Sequence, residues 1–212
     1  MSPEPPAAPA PAGGRLLQLS VGTARPLQVG SRKMLSAIGK RPVAGPQRVE
    51  PLGIDGDEQA DLSIHGGLAK AVYAYPSEHL PFWRTVRAQA GVSLWGDEEA
   101  VGPGALGENL TIEGLLERDV WVGDLLAFPG CTLAVSEPRF PCGKLGAALG
   151  FPQAVTLMEE SGWCGFYLAV RTPGTIAAGQ RFRLRPGPRQ VSIPELFRAR
   201  VGRGRRFAAA GR

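Results

Sequence analysis

One cysteine stands in the most chemically suggestive stretch of the sequence, S-E-P-R-F-P-C-G-K-L-G at residues 136–146. Prolines at positions 138 and 141 stiffen the backbone around Cys142, and the nearby Arg139 and Lys144 favour its thiolate, the nucleophilic and metal-binding form. A free cysteine is also commonly a small buried hydrophobe. From these residues alone, a reactive thiol and a buried thiol are equally supported for Cys142.

The other cysteines, Cys131 and Cys164, are interpreted as buried structural side chains. Three cysteines without C-x-x-C spacing argue against a disulfide scaffold and against a structural zinc site. The sequence also lacks a Walker loop, a G-x-G-x-x-G turn and an H-E-x-x-H motif. Nucleotide-dependent and zincin mechanisms therefore have no local support. A hydrolase that pairs Cys142 with His65 stays open.

A histidine and two glycines form the second candidate, in D-L-S-I-H-G-G-L-A-K-A-V-Y-A-Y-P at residues 61–76. Gly66 and Gly67 let backbone amides approach a ligand closely, and successive N–H groups in a turn can cradle an anion. His65 beside them can move protons near neutral pH, and Lys70 leads into an apolar strand. The alternative is an ordinary tight turn with a partly exposed histidine.

The third candidate is the loop G-A-L-G-E-N-L-T-I-E-G at residues 104–114. Its glycines, followed by Glu108 and Asn109, are typical of a loop that presents an acid and an amide before the chain enters a strand. Asn109 has a second interpretation, in which its amide only satisfies backbone groups of the turn.

The elements that must position these residues are short apolar runs broken by glycine, proline and aspartate. Such strands indicate a mixed α/β fold that is mainly β, either a β-barrel or a compact mixed sheet. The predicted strands lie at residues 15–21, 47–54, 71–76, 109–114, 119–128, 131–137 and 165–170. Pro173 and Gly174 predict a tight turn, so residues 165–185 are expected to form a hairpin that closes the sheet.

Three segments have a helical pattern, at residues 77–91, 143–149 and 152–161. Ser77 is the expected N-cap of the first helix, and Pro152 is expected just inside the start of the third. His79 falls in the first of these helices and is given no special role. The helices are few, short and peripheral to the predicted sheet.

Charge is distributed unevenly along the chain. The formal net charge is +5, but residues 181–212 contain ten arginines and one acid, which leaves 14 basic and 18 acidic residues before them. A helix is expected to start after Ser192 in this basic tail. A solvated extension is favoured over nucleic-acid binding for it. Residues 1–14, almost wholly Pro, Ala, Gly, Ser and Glu, predict a disordered leader.

The first residues also lack the basic start and apolar core of a signal peptide, and no stretch is long enough to cross a bilayer. We therefore expect a cytoplasmic protein without a membrane partner.

Several ordered segments together resemble the MOSC-domain family, most closely its YiiM-like branch. They are S-A-I-G-K-R-P-V at residues 36–43 and the segments at residues 53–83, 104–128, 133–145 and 161–180. The resemblance covers residues 15–187, and it implies a MOSC β-barrel with a few short helices. Residues 188–212 then form a basic tail that is truncated relative to the helical C-terminal domain of YiiM-like proteins.

The resemblance implies binding of the molybdenum cofactor, a pterin dithiolene that carries molybdenum. Cys142 occupies the position of the metal ligand, and a soft thiolate suits such a centre. Residues expected to surround the cofactor or substrate are His65, Gly66, Gly67, Glu108, Asn109 and Arg139, and Lys40 and Lys70 are expected to hold the pterin phosphate. Pyridoxal phosphate binding is a further family-level association. Ala69 departs from the family, which often has an acid there.

The activity implied by the resemblance is reduction of small N-hydroxylated compounds, hydroxylaminopurines or amidoximes, from N–OH to N–H. The electrons would come from a separate reductase, because no flavin or iron–sulfur motif is present. His65 is the expected proton donor, with Asn109 and Arg139 orienting the oxygen or the substrate. The alternative is a non-catalytic carrier that uses Cys142 to deliver sulfur or the cofactor.

Overall fold

Thirteen strands and four α-helices make up the described part of the computed structural model, which comprises residues 13–60, 66–91 and 101–210. The strands are β1 Gly13–Val21, β2 Arg25–Val29, β3 Arg32–Ser36, β4 Arg41–Pro42, β5 Gln47–Glu50, β6 Gly53–Ile54, β7 Val72–Pro76, β8 Leu110–Glu113, β9 Leu125–Ala127, β10 Thr132–Pro138, β11 Phe166–Thr172, β12 Gly174–Ile176 and β13 Arg181–Arg185. The helices are α1 Leu80–Gln89, α2 Gly143–Leu149, α3 Ala154–Ser161 and α4 Ile193–Ala210. Short 3₁₀ turns occupy residues 68–70, 77–79 and 117–119.

Seven strands close into a barrel in the order β13-β9-β10-β11-β7-β8-β1, and β13 pairs with β1 to complete the ring. Neighbouring strands are antiparallel except β7 and β8, which are parallel. Closure leaves no free edge in the ring, which is how barrels avoid unpaired backbone groups. The mainly β barrel with short peripheral helices confirms the expected fold.

The side-chain pattern of the strands explains which face is buried. In β13, Phe182 and Leu184 are buried and alternate with three exposed arginines, as the two-residue period of a strand requires. All five residues of β7 are buried, because this strand is covered on both faces. The interior is filled by large side chains that include Trp83, Tyr75 and Phe166.

The expected hairpin over residues 165–185 is wrong. β11 pairs with β10 and β7, whereas β13 pairs with β9 and β1, so the two strands lie on opposite sides of the β9–β10 pair. Between them the chain stays extended as β12, which pairs with β5. The turn signal of Pro173 and Gly174 is local, and long-range pairing of β12 with β5 overrides it.

The helix boundaries differ slightly from expectation. A 3₁₀ turn contains Ser77, and α1 begins only at Leu80 with His79 as its N-cap residue. The second helix matches residues 143–149, and the third begins at Ala154, after Pro152 rather than around it. The sequence pattern did not predict the hairpin of β2 and β3, which forms a separate two-stranded sheet in contact with α2.

The C-terminal helix α4 begins after Ser192, as expected. Its start is a capping box, in which the Ser192 backbone N–H donates to Glu195 Oε2 at 2.8 Å and the Glu195 N–H donates to Ser192 Oγ at 3.3 Å. Ile193 and Phe197 are buried in the hydrophobic core of the protein. The first turns of α4 therefore belong to the packed domain instead of extending into solvent. In the described part of the chain, no helix combines the length and apolarity needed to cross a membrane.

Candidate functional site

Cys142 lies in the short connection between a strand and a helix. Strand β10 ends at Pro138, and Cys142 precedes α2 in an extended conformation, with φ −141° and ψ 171°. Its carbonyl accepts a hydrogen bond from the Leu145 N–H at 2.9 Å. The side chain is half-buried and lines a cavity, whereas Cys131 and Cys164 are buried. This placement favours the reactive interpretation of Cys142 and the structural interpretation of the other two.

The cavity beside Cys142 has a volume of about 100 Å³, enough for several water-sized groups. Its walls come from five separate parts of the chain, at residues 36–40, 57–60, 70–73, 106–109 and 139–144, together with Tyr167. Of the expected site residues, the cavity brings together Lys40, Lys70, Asn109, Arg139 and Cys142. Four of its lining side chains are cationic: Lys40, Lys70, Arg139 and Lys144.

Arg139 is a buried cation at this cavity, with 5% of its surface exposed. Its Nη1 lies 3.3 Å from the Met158 sulfur and its guanidinium carbon 6.0 Å from the Tyr73 ring centre. No carboxylate of the described residues forms an ion pair with it. Burial by itself lowers the pKa of Arg139, but the neighbouring ionisable groups Tyr73, Tyr167 and Cys142 outweigh burial, and the net pKa is raised. Arg139 is therefore a permanent positive charge that an anion in the cavity would neutralise.

The two expected phosphate-binding lysines each have an acidic partner. Lys40 forms a buried ion pair with Asp57, which also accepts a hydrogen bond from the Gly22 N–H at 2.8 Å. Lys70 Nζ lies 3.6 Å from Glu137 and 5.9 Å from the ring centre of Tyr167. Their charge is partly neutralised by the protein itself, in contrast to the charge of Arg139.

The Glu108 carboxylate does not line the cavity. It is fully buried and accepts hydrogen bonds from the backbone N–H groups of Gly104 at 2.6 Å and Leu106 at 3.1 Å, and from the Thr111 hydroxyl at 3.1 Å. Burial raises the pKa of Glu108 to about 7, against the opposing effect of these hydrogen bonds. Glu108 thus holds its own loop together.

Two glycines let this loop close against the segment that carries Lys40. Gly104 and Gly107 have φ of +90° and +91°, in the region that favours glycine. A Cβ at Gly104 would lie 2.7 Å from the Lys40 carbonyl oxygen, and one at Gly107 would lie 3.0 Å from Ile38 Cγ1. The G-A-L-G motif therefore fixes one wall of the cavity.

Asn109 lines the cavity, but both ends of its amide have backbone partners. Its Oδ1 accepts a hydrogen bond from the Tyr73 N–H at 3.1 Å, and its Nδ2 donates to the Ser20 carbonyl at 3.2 Å. The side chain connects β7 to β1 in the barrel wall. This agrees with the second interpretation of the residue, as a group that satisfies the backbone.

The H-G-G turn is only partly within the described residues. His65 lies outside them. Gly66 and Gly67 precede the 3₁₀ turn at residues 68–70, and neither lines the cavity. The Gly67 N–H donates to Gln59 Oε1 at 3.1 Å, and Gln59 does line the cavity. The described part of the turn is thus connected to the cavity through Gln59.

A buried His79–Glu117 pair is connected through Gly165 to the backbone of Arg139. The sequence interpretation missed this pair. His79 Nε2 lies 2.8 Å from Glu117 Oε2, and the imidazole stacks on Trp163 at 4.6 Å between ring centres. Glu117 Oε1 accepts a hydrogen bond from the Gly165 N–H at 2.7 Å. The Gly165 carbonyl in turn accepts from the Arg139 N–H at 3.4 Å. No local motif signals this pair, because its members lie 38 residues apart.

The C-terminal helix α4 packs against the segment at residues 139–142, called the cysteine turn below. Phe140 stacks on Phe197 of α4, with ring centres 5.7 Å apart and an interplanar angle of 3°. Arg200 of the same helix lies over Phe140, 4.2 Å from its ring centre. Because Phe140 is two residues before Cys142, α4 helps to fix the position of the thiol.

The donor set of the site determines which metal groups fit it. The described residues contain no group of three or more His, Cys, Asp or Glu side chains that could hold a metal ion. A metal at this cavity would therefore have one protein thiolate from Cys142 and would need to bring its other ligands. An anionic metal cofactor with sulfur ligands of its own matches one soft thiolate beside the buried cation of Arg139.

A family model for the MOSC domain matches residues 61–183. The chain belongs to the MOSC domain family. This MOSC domain is 36% identical over 161 residues to protein YiiM of Escherichia coli (strain K12), covering 76% of the chain and 68% of that protein. The crystal structure of YiiM from Geobacillus stearothermophilus matches it with a TM-score of 0.68 and 29% identity, over 90% of this chain and 85% of that one. These matches confirm the family and its YiiM-like branch.

A third relative extends well beyond the MOSC domain. A protein named Reductase from Gibberella moniliformis (strain M3125 / FGSC 7600) is 33% identical over 198 residues, which cover 91% of this chain. The match covers only 34% of that protein, so the chain spans about a third of its length.

Proposed function

We propose that this MOSC domain is an oxidoreductase that uses the molybdenum cofactor to reduce small N-hydroxylated compounds, converting N–OH to N–H. The observation that carries the proposal is the placement of Cys142, a half-buried thiol on a cavity that also contains Arg139, a buried cation with no ion-pair partner among the described carboxylates. The relative named Reductase supports an oxidoreductase class. The MOSC family is associated with this cofactor, and the donor set fits it.

The residues would share the binding of the cofactor. Cys142 would supply the protein thiolate, and Arg139 would neutralise anionic groups of the cofactor or the substrate. Lys144 lines the same cavity and has no ion pair with the described residues, so it is available for a second anionic contact. When bound, the cofactor supplies the two-electron couple that cleavage of the N–O bond requires.

The remaining roles concern protons and positioning. The reaction consumes two protons, and His65 is the proposed donor, as an imidazole can give up a proton near neutral pH. Asn109 is proposed as a positioning residue, because its amide is committed to the backbone of β1 and β7. Lys40 and Glu108 are proposed to stabilise the walls of the cavity. Lys40 does so through its ion pair with Asp57, and Glu108 through its hydrogen bonds to the loop at residues 104–107.

The test is a metal and turnover assay on protein produced in a host that synthesises the cofactor. The wild type should contain molybdenum and should reduce 6-hydroxylaminopurine or benzamidoxime with reduced benzyl viologen as the electron donor. Cys142→Ser should lose both metal and turnover. The matched control Cys131→Ala, which removes a buried thiol away from the cavity, should keep both.

Other results would assign other functions. Bound sulfane sulfur on Cys142 without turnover would favour the carrier role. Metal-free hydrolysis of an acyl ester that disappears with Cys142→Ser would favour a hydrolase. A Cys142→Ser variant with unchanged molybdenum content and rate would show that the ligand assignment is wrong.

A further inference from the structure

The β2–β3 hairpin presents a surface that the proposed chemistry at Cys142 does not use. Its register places Leu27, Val29, Met34 and Ser36 on one face of the ribbon, with Arg25 and Arg32. The opposite face carries Pro26, Gln28, Lys33 and Leu35, all of them exposed. Two large apolar side chains are exposed in β3: Met34 at 43% and Leu35 at 56%. These two side chains lie on opposite faces, so the candidate contact surface is the first face, where Met34 and its cross-strand neighbour Leu27 lie between Arg25 and Arg32.

The hairpin lies next to the candidate active site. Val29 Cγ1 lies 3.1 Å from the point that a Cβ of residue 143 would occupy, directly after Cys142 in the chain. At the other end of the hairpin, Ser36 is buried and lines the cavity, as does Ile38. A protein seated on the hairpin would therefore lie close to the mouth of the cavity.

The charged side chains of the hairpin strands are all cationic, and one exposed carboxylate, Glu58, accepts a hydrogen bond from the Ala24 N–H at 2.6 Å at the base of the hairpin. Residues 13–49 contain seven lysines and arginines and no aspartate or glutamate. Arg25, Arg32 and Lys33 are exposed, and none of the three forms an ion pair with a described carboxylate. A patch of such cations attracts an acidic partner and increases its association rate by about 10- to 1,000-fold, depending on salt.

We infer that the β2–β3 hairpin is the docking surface for an acidic electron-carrier protein, with a flavin or an iron–sulfur cluster, that reduces the site at Cys142. The inference rests on the proposed function. Each turnover takes two electrons from the carrier, in two successive one-electron deliveries where the carrier holds a single [2Fe–2S] cluster. The N–O bond of the substrate breaks, and two protons are taken up from the solvent. The products are the N–H compound and one water molecule.

A protein partner fits this surface better than nucleic acid does. Non-specific phosphate binding depends mainly on cations, whereas here Arg25 and Arg32 flank the exposed Met34 on one face of the hairpin. Apolar centres with methionine and arginine are typical of protein interfaces. A small contact of this composition suits a transient electron-transfer complex, which must release its partner after each delivery.

The test compares two triple variants with equal changes of charge. The first variant reverses the charge of the hairpin and is Arg25→Glu/Arg32→Glu/Lys33→Glu. The second reverses the charge of three exposed arginines of β13 outside the cavity lining and is Arg181→Glu/Arg183→Glu/Arg185→Glu. The probes are an acidic flavodoxin and an acidic plant-type ferredoxin. Binding of the oxidised carriers is measured by calorimetry at about 20 and about 300 mM NaCl, and turnover is measured with each reduced carrier and with benzyl viologen.

The wild type should bind at least one carrier, and the higher salt should weaken this binding about tenfold or more. The hairpin variant should lose binding, and its kcat/KM for the carrier should fall by about 10- to 1,000-fold, while viologen-driven turnover stays within about twofold. The β13 variant should behave like the wild type in all three measurements.

Each contrary result has one meaning. No salt-sensitive binding of either carrier, or equal losses in the two triple variants, would overturn the docking surface. So would hairpin-dependent binding of phosphatidylglycerol vesicles or duplex DNA with no carrier binding. Absence of viologen-driven turnover in molybdenum-loaded wild type would overturn the proposed function instead, and the calorimetry would still decide whether carriers dock on the hairpin.

Discussion

Replacing Glu108 by glutamine should flatten the pH dependence of folding stability between about pH 4.5 and 7. Burial raises the pKa of this carboxyl from an ordinary 4.5 to about 7 in the folded protein. Between these values the folded protein keeps the proton that the unfolded chain has released. Raising the pH through this window therefore favours the unfolded chain, and the stability contributed by protonated Glu108 is lost as the pH approaches 7.

The size of the effect follows from the shift. At about 1.4 kcal/mol per pKa unit, ionisation of Glu108 lowers the free energy of unfolding by about 3 kcal/mol between about pH 4.5 and about pH 7.5. The glutamine amide cannot ionise, so this component disappears in the Glu108→Gln variant. The amide also replaces one acceptor of Gly104, Leu106 or Thr111 with a donor, which costs about 1–3 kcal/mol at every pH.

The assay is urea unfolding followed by tryptophan fluorescence at half-unit steps from about pH 4.5 to about pH 8. The quantity of interest is the difference in unfolding free energy between the wild type and Glu108→Gln, because other titrating groups cancel in it. The wild type should be more stable at low pH, and this advantage should fall by about 3 kcal/mol as the pH rises, so that Glu108→Gln becomes equally or more stable above about pH 7. Glu113→Gln, an exposed residue at the end of β8, is the matched control and should follow the wild type at every pH. A difference that stays constant with pH would refute the reasoning.

Three further experiments test the packing around the cavity and the reactivity of the Cys142 thiol. Asn109→Ala should lower the free energy of unfolding by about 2–4 kcal/mol in urea titrations. The substitution removes the side-chain partner of the Tyr73 N–H and that of the buried Ser20 carbonyl. Phe197→Ala should cost about 3–5 kcal/mol in the same titrations, since it empties a buried site against Phe140. Iodoacetamide at about pH 8 should alkylate native protein once, at Cys142, and intact-mass spectrometry should find no adduct in Cys142→Ser. Burial raises the pKa of Cys131 to about 11 and that of Cys164 well above its usual value, so both stay protonated as well as shielded.

The strands of the barrel were predictable where one face is buried, but the β2–β3 hairpin was not. Its side chains are mostly exposed or half-buried, so the alternation of apolar and polar residues that marks a strand is weak there. The signal available in the sequence was the pair Gly30-Ser31 between two runs of equal length, which is a two-residue hairpin turn. Where neither face of a strand is buried, the turn residues are the main sequence signal that predicts it.

The candidate site could be predicted as a set of residues but not as a set of contacts. Motif positions identified Lys40, Lys70, Arg139 and Cys142, and the fold places all four on one cavity. Their electrostatic roles depend on long-range partners. Asp57 neutralises Lys40, whereas Arg139 has no acidic partner among the described residues, and nothing in the local sequence separates these two cases.

The supports of the cysteine turn explain why a single thiol can serve as a defined ligand position. A side chain on a loop loses precision when the loop moves, and sites built on rigid supports avoid this. On one side of Cys142, Phe140 stacks on Phe197 of α4. On the other side, the Arg139 N–H donates a hydrogen bond to the Gly165 carbonyl, and the Gly165 N–H donates one to Glu117. The basic C-terminal segment is therefore part of the site's framework through its first turns, even though its arginines made it resemble a solvated tail.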